Sequence, residues 1–293
     1  MCWSGRMKKW LFALAVGLVL TGCEKVVILD ESEGGDTEGN VTLRMTAAGE
    51  PQHTMTRGVP VGEVSTRLNV AVFDAGGTKI KTVAQSVGDT GFGVVRLALP
   101  EGRYSLVVVA HNGTGSATIT SMEKVTFPNN KVTDTFLYYG HLDVDGSSQS
   151  LDVEMKRCVA MVRFVLDDNG DNDIASLKFY YLGGSSTLSP VAGFGCVNSK
   201  QTEYRAWNDA SVYELFTIPH ATEDVITKMT VTAYDANDNV VGEWTLTDIP
   251  VTMNRVTEYS GDLFGGGGHS GDDSPTGGIT VDAEWEGIDS YTF

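Results

Sequence analysis

The stretch LNVAVFDAGGTKI, residues 68–80, decides the fold class. Leu68, Val70 and Val72 recur at every second position, the period of a strand that buries one face. The segment DAGG follows at once. Aspartate and glycine tolerate the positive φ angles that tight hairpin turns demand, so DAGGTK (Asp74–Lys79) is expected to reverse the chain. Ile80, a β-branched residue, then opens a return strand. Working outward, Val94–Leu99 is a further strand. PEGRYSLVVVAHNGTG (Pro100–Gly115) is a turn, a strongly apolar strand and a second turn. Turn clusters break the chain where helical spacing would have to persist. The expectation is an all-β chain of short strands packed as sandwiches.

A second passage repeats the first. MTVTAYDANDNVV (Met229–Val241) has an alternating strand, an aromatic residue, Asp-Ala, a polar turn and a β-branched restart, with Tyr234-Asp235-Ala236 aligned on Phe73-Asp74-Ala75. Self-similarity of this kind favours two related β-domains over a chance hairpin. DVDGSSQS (Asp143–Ser150) is a polar break, and LDVEMKRCVAMVRFVLDD reads as a new long strand after it. Domains are therefore expected at 41–150 and 151–262, each of ordinary domain size.

Both ends of the sequence differ from this body. Lys8 and Lys9 precede an eleven-residue run of apolar residues and glycine, Trp10–Leu20. A membrane-spanning helix needs about 20 such residues, and a secretory signal about 7–15. The run ends Leu20-Thr21-Gly22-Cys23, which resembles a bacterial lipobox. Cleavage is expected between Gly22 and Cys23, with diacylglyceryl attachment to the Cys23 thiol. Two or three acyl chains, at about 0.8 kcal/mol per buried methylene, would hold the chain to a bilayer. Residues 1–22 are then a signal peptide, and 23–40 a lipidated acidic tether whose charges and glycines favour extension. The whole sequence has 21 Lys+Arg against 38 Asp+Glu and a net charge of −17, and residues 1–22 hold three of the bases and none of the acids. So acidic a chain does not attract nucleic acid or an anionic membrane through its general field.

At the other end, FGGGGHSGDDSPTGG (Phe264–Gly278) is a Gly-rich linker, followed by ITVDAEWEGIDSYTF. Ile279, Val281, Ala283 and Trp285 alternate with polar residues and form a candidate strand for pairing, within a terminal unit at 263–293. Such a strand either folds back on its own sheet, the preferred reading, or is donated to the edge of a partner's sheet.

No catalytic or metal pattern emerges. His53, His111, His141, His220 and His269 do not stand at metal-ligand spacings, and His111 reads as a solvated residue beside a turn. There is no GxSxG elbow, phosphate loop or dinucleotide fingerprint. DDNGDND (Asp167–Asp173) lacks the glycine and the terminal glutamate of a calcium loop and reads as a turn. No enzyme activity, cofactor, metal or small-molecule substrate is expected. Cys158 and Cys196 remain as either a disulfide or two free thiols, with free thiols preferred because Cys158 sits in an apolar strand pattern.

The lipobox, LNVAVFDAGGTKI, LPEGRYSLVVVAHNGTG (Leu99–Gly115), KVTFPNNKVTDTFLYYG (Lys124–Gly140) and MKRCVAMVRFVL (Met155–Leu166) together resemble the anchor lipoproteins of Bacteroidales fimbriae, the type V pilus anchor subunits. The resemblance covers most of Val41–Asp262. It implies two tandem transthyretin-like, Greek-key sandwiches, attachment to the outer membrane through lipid, and fimbrial pilin subunits as partners joined by strand exchange. In that family stalk pilins are trimmed after an arginine; Arg57 in TMTRGVP is noted without a cleavage assignment. The rival from another class is a surface glycan-binding lipoprotein, for which Tyr138, Tyr139, Tyr180, Tyr181, Trp207 and Trp244 would supply stacking rings.

Overall fold

The structure is a computed structural model and describes residues 31–33, 39–48, 58–166, 174–207, 212–261, 278–280 and 285–292. It is nearly all β, as expected from the alternation. Among the described residues the helical exceptions are one four-residue turn, α1 (Val61–Val64), and a short 3-10 turn at Pro128–Asn130.

The first half contains β1 (Glu31–Glu33), β2 (Val41–Ala47), β3 (Val59–Pro60), β4 (Arg67–Phe73), β5 (Lys79–Ser86), β6 (Val94–Leu97), β7 (Gly102–His111), β8 (Thr118–Ser121), β9 (Lys124–Thr126), β10 (Thr135–Val144) and β11 (Gln149–Arg157). Nine of these form a sheet in the order β1-β5-β4-β7-β10-β11-β2-β3, with β6 also paired to β2. The second half contains β12 (Ala160–Leu166), β13 (Ser176–Gly183), β14 (Thr187–Ser189), β15 (Phe194–Gly195), β16 (Lys200–Ala206), β17 (Val212–Thr217), β18 (Glu223–Tyr234), β19 (Val240–Thr252), β20 (Val256–Gly261), β21 (Gly278–Thr280) and β22 (Ile288–Thr292). Two of its sheets run β17-β12-β20-β22-β21 and β16-β13-β18-β19.

The two sequence-similar hairpins have the same local construction. In β4–β5, Asp74 Oδ1 accepts from the backbone N–H of Gly76 and Thr78, both at 2.9 Å, and Gly77 has φ 79°. In β18–β19, Asp235 Oδ1 accepts from Asn237 and Asn239, both at 2.8 Å, and Asp238 has φ 63°. Each turn thus places an Asx-capped reversal and a left-handed residue at the same offset, occupied once by glycine and once by aspartate. Each hairpin also carries a register shift at the strand end before its turn, at Val72/Phe73 and at Ala233/Tyr234.

The unbroken apolar run of β7 has a plain cause, since both faces of this strand are covered. Leu106, Val108 and Ala110 join one core with Leu68, Val70 and Val72. Val107 and Val109 point the other way, into a second core shared with Ala71, Phe73, Met161, Ile218 and Val256. A third core lies between the sheets of the second half, around Phe164, Phe179, Tyr181 and Tyr213.

The halves share a core. They also share a four-stranded sheet, β15-β14-β9-β8, in which the first half's β9 pairs with the second half's β14 at Val125↔Leu188. The long run expected as one new strand after residue 150 is divided. Gln149–Arg157 pairs with β2 and β10 of the first sheet, and Ala160–Leu166 pairs with β17 and β20 of the other. The chain changes sheet at Cys158–Val159, with no glycine or proline to mark the place.

Candidate functional site at the terminal hairpin and Arg157

The end of the described chain is docked on its own molecule. β22 runs parallel to β20 from Val256↔Ile288 to Ser260↔Thr292, and β21 pairs antiparallel with β22 as the outermost strand. Of the candidate pairing residues, Ile279 lies in β21. Val281 and Ala283 lie outside the described residues. Trp285 is not in a strand: it sits in a bend and is 3% exposed. The alternation from Ile279 to Trp285 therefore does not run through one strand to its end. A second strand, Ile288–Thr292, makes the long pairing instead.

Several contacts fix this hairpin. Asn254 accepts from the backbone N–H of Glu286 at 3.0 Å, and Val256 donates to Gly287 at 3.0 Å. Arg255 donates to both carboxylate oxygens of Asp289, at 2.8 and 3.3 Å. Tyr291 stacks on Tyr259 with ring centroids 5.0 Å apart. The indole of Trp285 tilts against Phe216 at 6.3 Å and lies under the guanidinium of Arg157 at 4.0 Å.

Arg157 stands where β11 gives way to β12, and its side chain is 7% exposed. Its Nε and Nη2 donate to the two oxygens of Asp134 at 2.7 and 3.0 Å, and Nη1 donates to Asn254 Oδ1 at 3.1 Å. Phe136 lies 4.8 Å from it. A buried cation is tolerated when its hydrogen bonds are met, and the planar fork of arginine suits this bidentate arrangement. Beside it opens a cleft of about 890 Å³, whose lining includes Tyr139, Lys156, Arg157, Val191, Asn254 and Glu286. Cys158 also lines the cleft, but burial pushes its thiol far above the ordinary range, and it donates to Thr135 O at 3.4 Å. It is a packed thiol rather than a nucleophile.

A second polar seam lies under β16. Glu203, 6% exposed, faces Lys131 of the first half at 3.3 Å and also pairs with Arg205. The hydroxyl of Tyr181 donates into the same group, at 3.1 Å from Glu203 Oε1 and 3.2 Å from Gln201 Oε1. Desolvation, followed by the Glu203 charge, drives the Tyr181 phenol well above its ordinary range. This arrangement joins the halves and offers no acid/base couple.

The expectation of a solvated His111 is corrected. The residue is fully buried, because β7 continues to it through the middle of its sheet. Its Nδ1 accepts from Gly113 N–H at 3.0 Å, and its ring meets the Phe127 ring edge-on at 5.4 Å.

Gly22 and Cys23, Arg57 and Asp167–Asp173 lie outside the described residues. Cys158 and Cys196 are free thiols. Of the six aromatic residues weighed for sugar stacking, Tyr181 is fully buried and the others are half-buried; Tyr138, Tyr139, Trp207 and Trp244 pack against the cores. Tyr204, which the sequence did not single out, is 64% exposed. Among the described residues no group of three His, Cys, Asp or Glu side chains could hold a metal ion. Arg157 was missed altogether, since its partners are scattered and no local pattern marks it.

The chain is similar to several solved structures. A candidate adhesin from Bacteroides ovatus ATCC 8483 is 18% identical with a TM-score of 0.47, over 78% of this chain and 88% of that one. The fimbrial anchor protein Mfa2 from Porphyromonas gingivalis is 12% identical with a TM-score of 0.39, over 71% and 82%. A fimbrial assembly protein from Parabacteroides distasonis ATCC 8503 is 14% identical with a TM-score of 0.40, over 75% and 89%. No curated protein matches the chain. A family model, described as fimbrillin-A associated anchor proteins Mfa1 and Mfa2, matches residues 32–290. Because that match takes in most of the chain, Arg157 and Trp285 included, the chain belongs to the fimbrillin-A associated anchor protein family.

Proposed function

We propose that this protein is a lipid-anchored fimbrial subunit that tethers a fimbrial polymer to the outer membrane, with Cys23 as the lipid site and β-strand pairing as the means of joining pilin subunits. The family match over residues 32–290 carries the reading. It supports a fimbrial anchor role at the cell surface, and the family is not a known family of enzymes. The Leu20–Cys23 motif supports the lipid step. The described residues contain no helix long and apolar enough to cross a membrane. Strand pairing draws support from the sheet that ends in the short, docked β21–β22 hairpin, since a sheet edge is a template for another chain.

The test is Cys23→Ala in the native host, with fimbriae assayed on cells and in the medium. Fimbriae that assemble but are shed support the reading. Fimbriae that stay on the cell while this protein becomes soluble overturn it.

A further inference from the structure

We infer that Arg157 is a clamp that makes two events one: docking of the β21–β22 hairpin on β20, and closure of the seam between the two halves. The guanidinium is a rigid plane with hydrogen bonds at its edge, and its central carbon lies over two aromatic rings. Its edge is held by Asp134 of the first half and Asn254 of the second. Its ring contacts are Trp285 of the hairpin at 4.0 Å and Phe136 of the first half at 4.8 Å. Trp285 and Ile288 also sit in the same core as Val107, Val109, Met161 and Ile218, the core shared between the halves.

Departure of Trp285 would admit water to the guanidinium, and a hydrated guanidinium binds Asp134 and Asn254 less strongly. Conversely, a shift of Asp134 against Asn254 would turn the plane away from the indole. Two processes that share one set of contacts are coupled, and the coupling is equal in both directions. β22 lies along β20 from Val256 to Ser260, so its departure would bare that backbone as an open edge. The edge therefore opens only as the seam loosens. This inference concerns contacts within the chain and stands apart from the fimbrial reading.

The experiment is amide hydrogen exchange by mass spectrometry on the purified full chain in detergent, for the parent, Arg157→Lys and Tyr291→Ala. Lysine keeps the charge and loses the planar fork and the stacking. Tyr291→Ala weakens the hairpin at the end away from Arg157, where it stacks on Tyr259. The expected result is at least tenfold faster exchange in 288–292 and, in the same variant, in the seam strands β9, β14 and the start of β12. Acceleration confined to the hairpin or to the seam, in either variant, overturns the inference, as does acceleration in neither region. If Arg157→Lys fails to fold, Tyr291→Ala alone decides by the same criterion.

Discussion

His111 makes stability depend on pH in a window that can be stated in advance. Burial, and secondarily the charge of Arg67, lowers its pKa from 6.5 to about 4. Between these values the unfolded chain binds the proton and the folded chain does not, so stability rises with pH there. The contribution is complete above 6.5, falls as the pH drops, and levels off below about 4. A shift of this size corresponds to about 3 kcal/mol at 1.36 kcal/mol per pH unit. Carboxylates titrate nearby in pH, so the informative quantity is a difference between two chains. In His111→Phe the ring can still pack against Phe127, but no proton binds. Urea unfolding of parent and variant at half-unit steps from pH 7.5 to 3.5 should show the parent losing about 3 kcal/mol relative to the variant as the pH falls. Parallel curves through the window from 6.5 to 4 would refute the argument, because they would mean that the ring is equally free to protonate folded and unfolded.

Three further outcomes follow from other contacts. Asp74→Ala and Asp235→Ala should each cost about 1 kcal/mol in thermal or urea unfolding, since each removes one carboxylate from two turn amides, with Asp235→Ala the costlier because Asp235 also accepts from Asn239 Nδ2; a larger loss for Asp74→Ala would deny this account of the turns. Glu203→Ala should cost about 2–3 kcal/mol with a modest dependence on salt, because the Glu203 carboxylate is buried while its partners Lys131 and Arg205 reach solvent; loss of the whole effect at 1 M salt would class the seam as a surface pair. Cys196 should react with a thiol reagent in the native protein while Cys158 reacts after denaturation, as their exposure and the raised Cys158 thiol require. Equal native labelling would contradict the packing around Cys158.

The hairpins were legible because their information is local. A period of two, an Asx turn and a left-handed residue lie within thirteen consecutive positions at Leu68–Ile80, and again at Met229–Val241. The all-β class followed from the same signals. The terminal strand was legible in part: Ile279 lies in a strand, but the long pairing belongs to Ile288–Thr292, whose Asp-Ser-Tyr-Thr run carries little apolar alternation. His111 misled because a turn sequence follows it, whereas its burial is decided by strands and rings from elsewhere in the chain.

By itself the sequence determined the β class, the two Asx-turn hairpins, the acidic balance and the lipobox-like end, because each is written in neighbouring residues. Tertiary structure alone decided where the chain changes sheet, at Cys158–Val159, and what Arg157 does. The backbone can pass from one sheet to another without any turn residue, so MKRCVAMVRFVL carries no mark of the change. Arg157 meets Asp134 and Phe136 from the entry to β10 and Asn254 and Trp285 from far along the chain. An arginine that follows Lys156 and precedes an apolar run acquires a role only when packing strips it of water and sets those four groups around it.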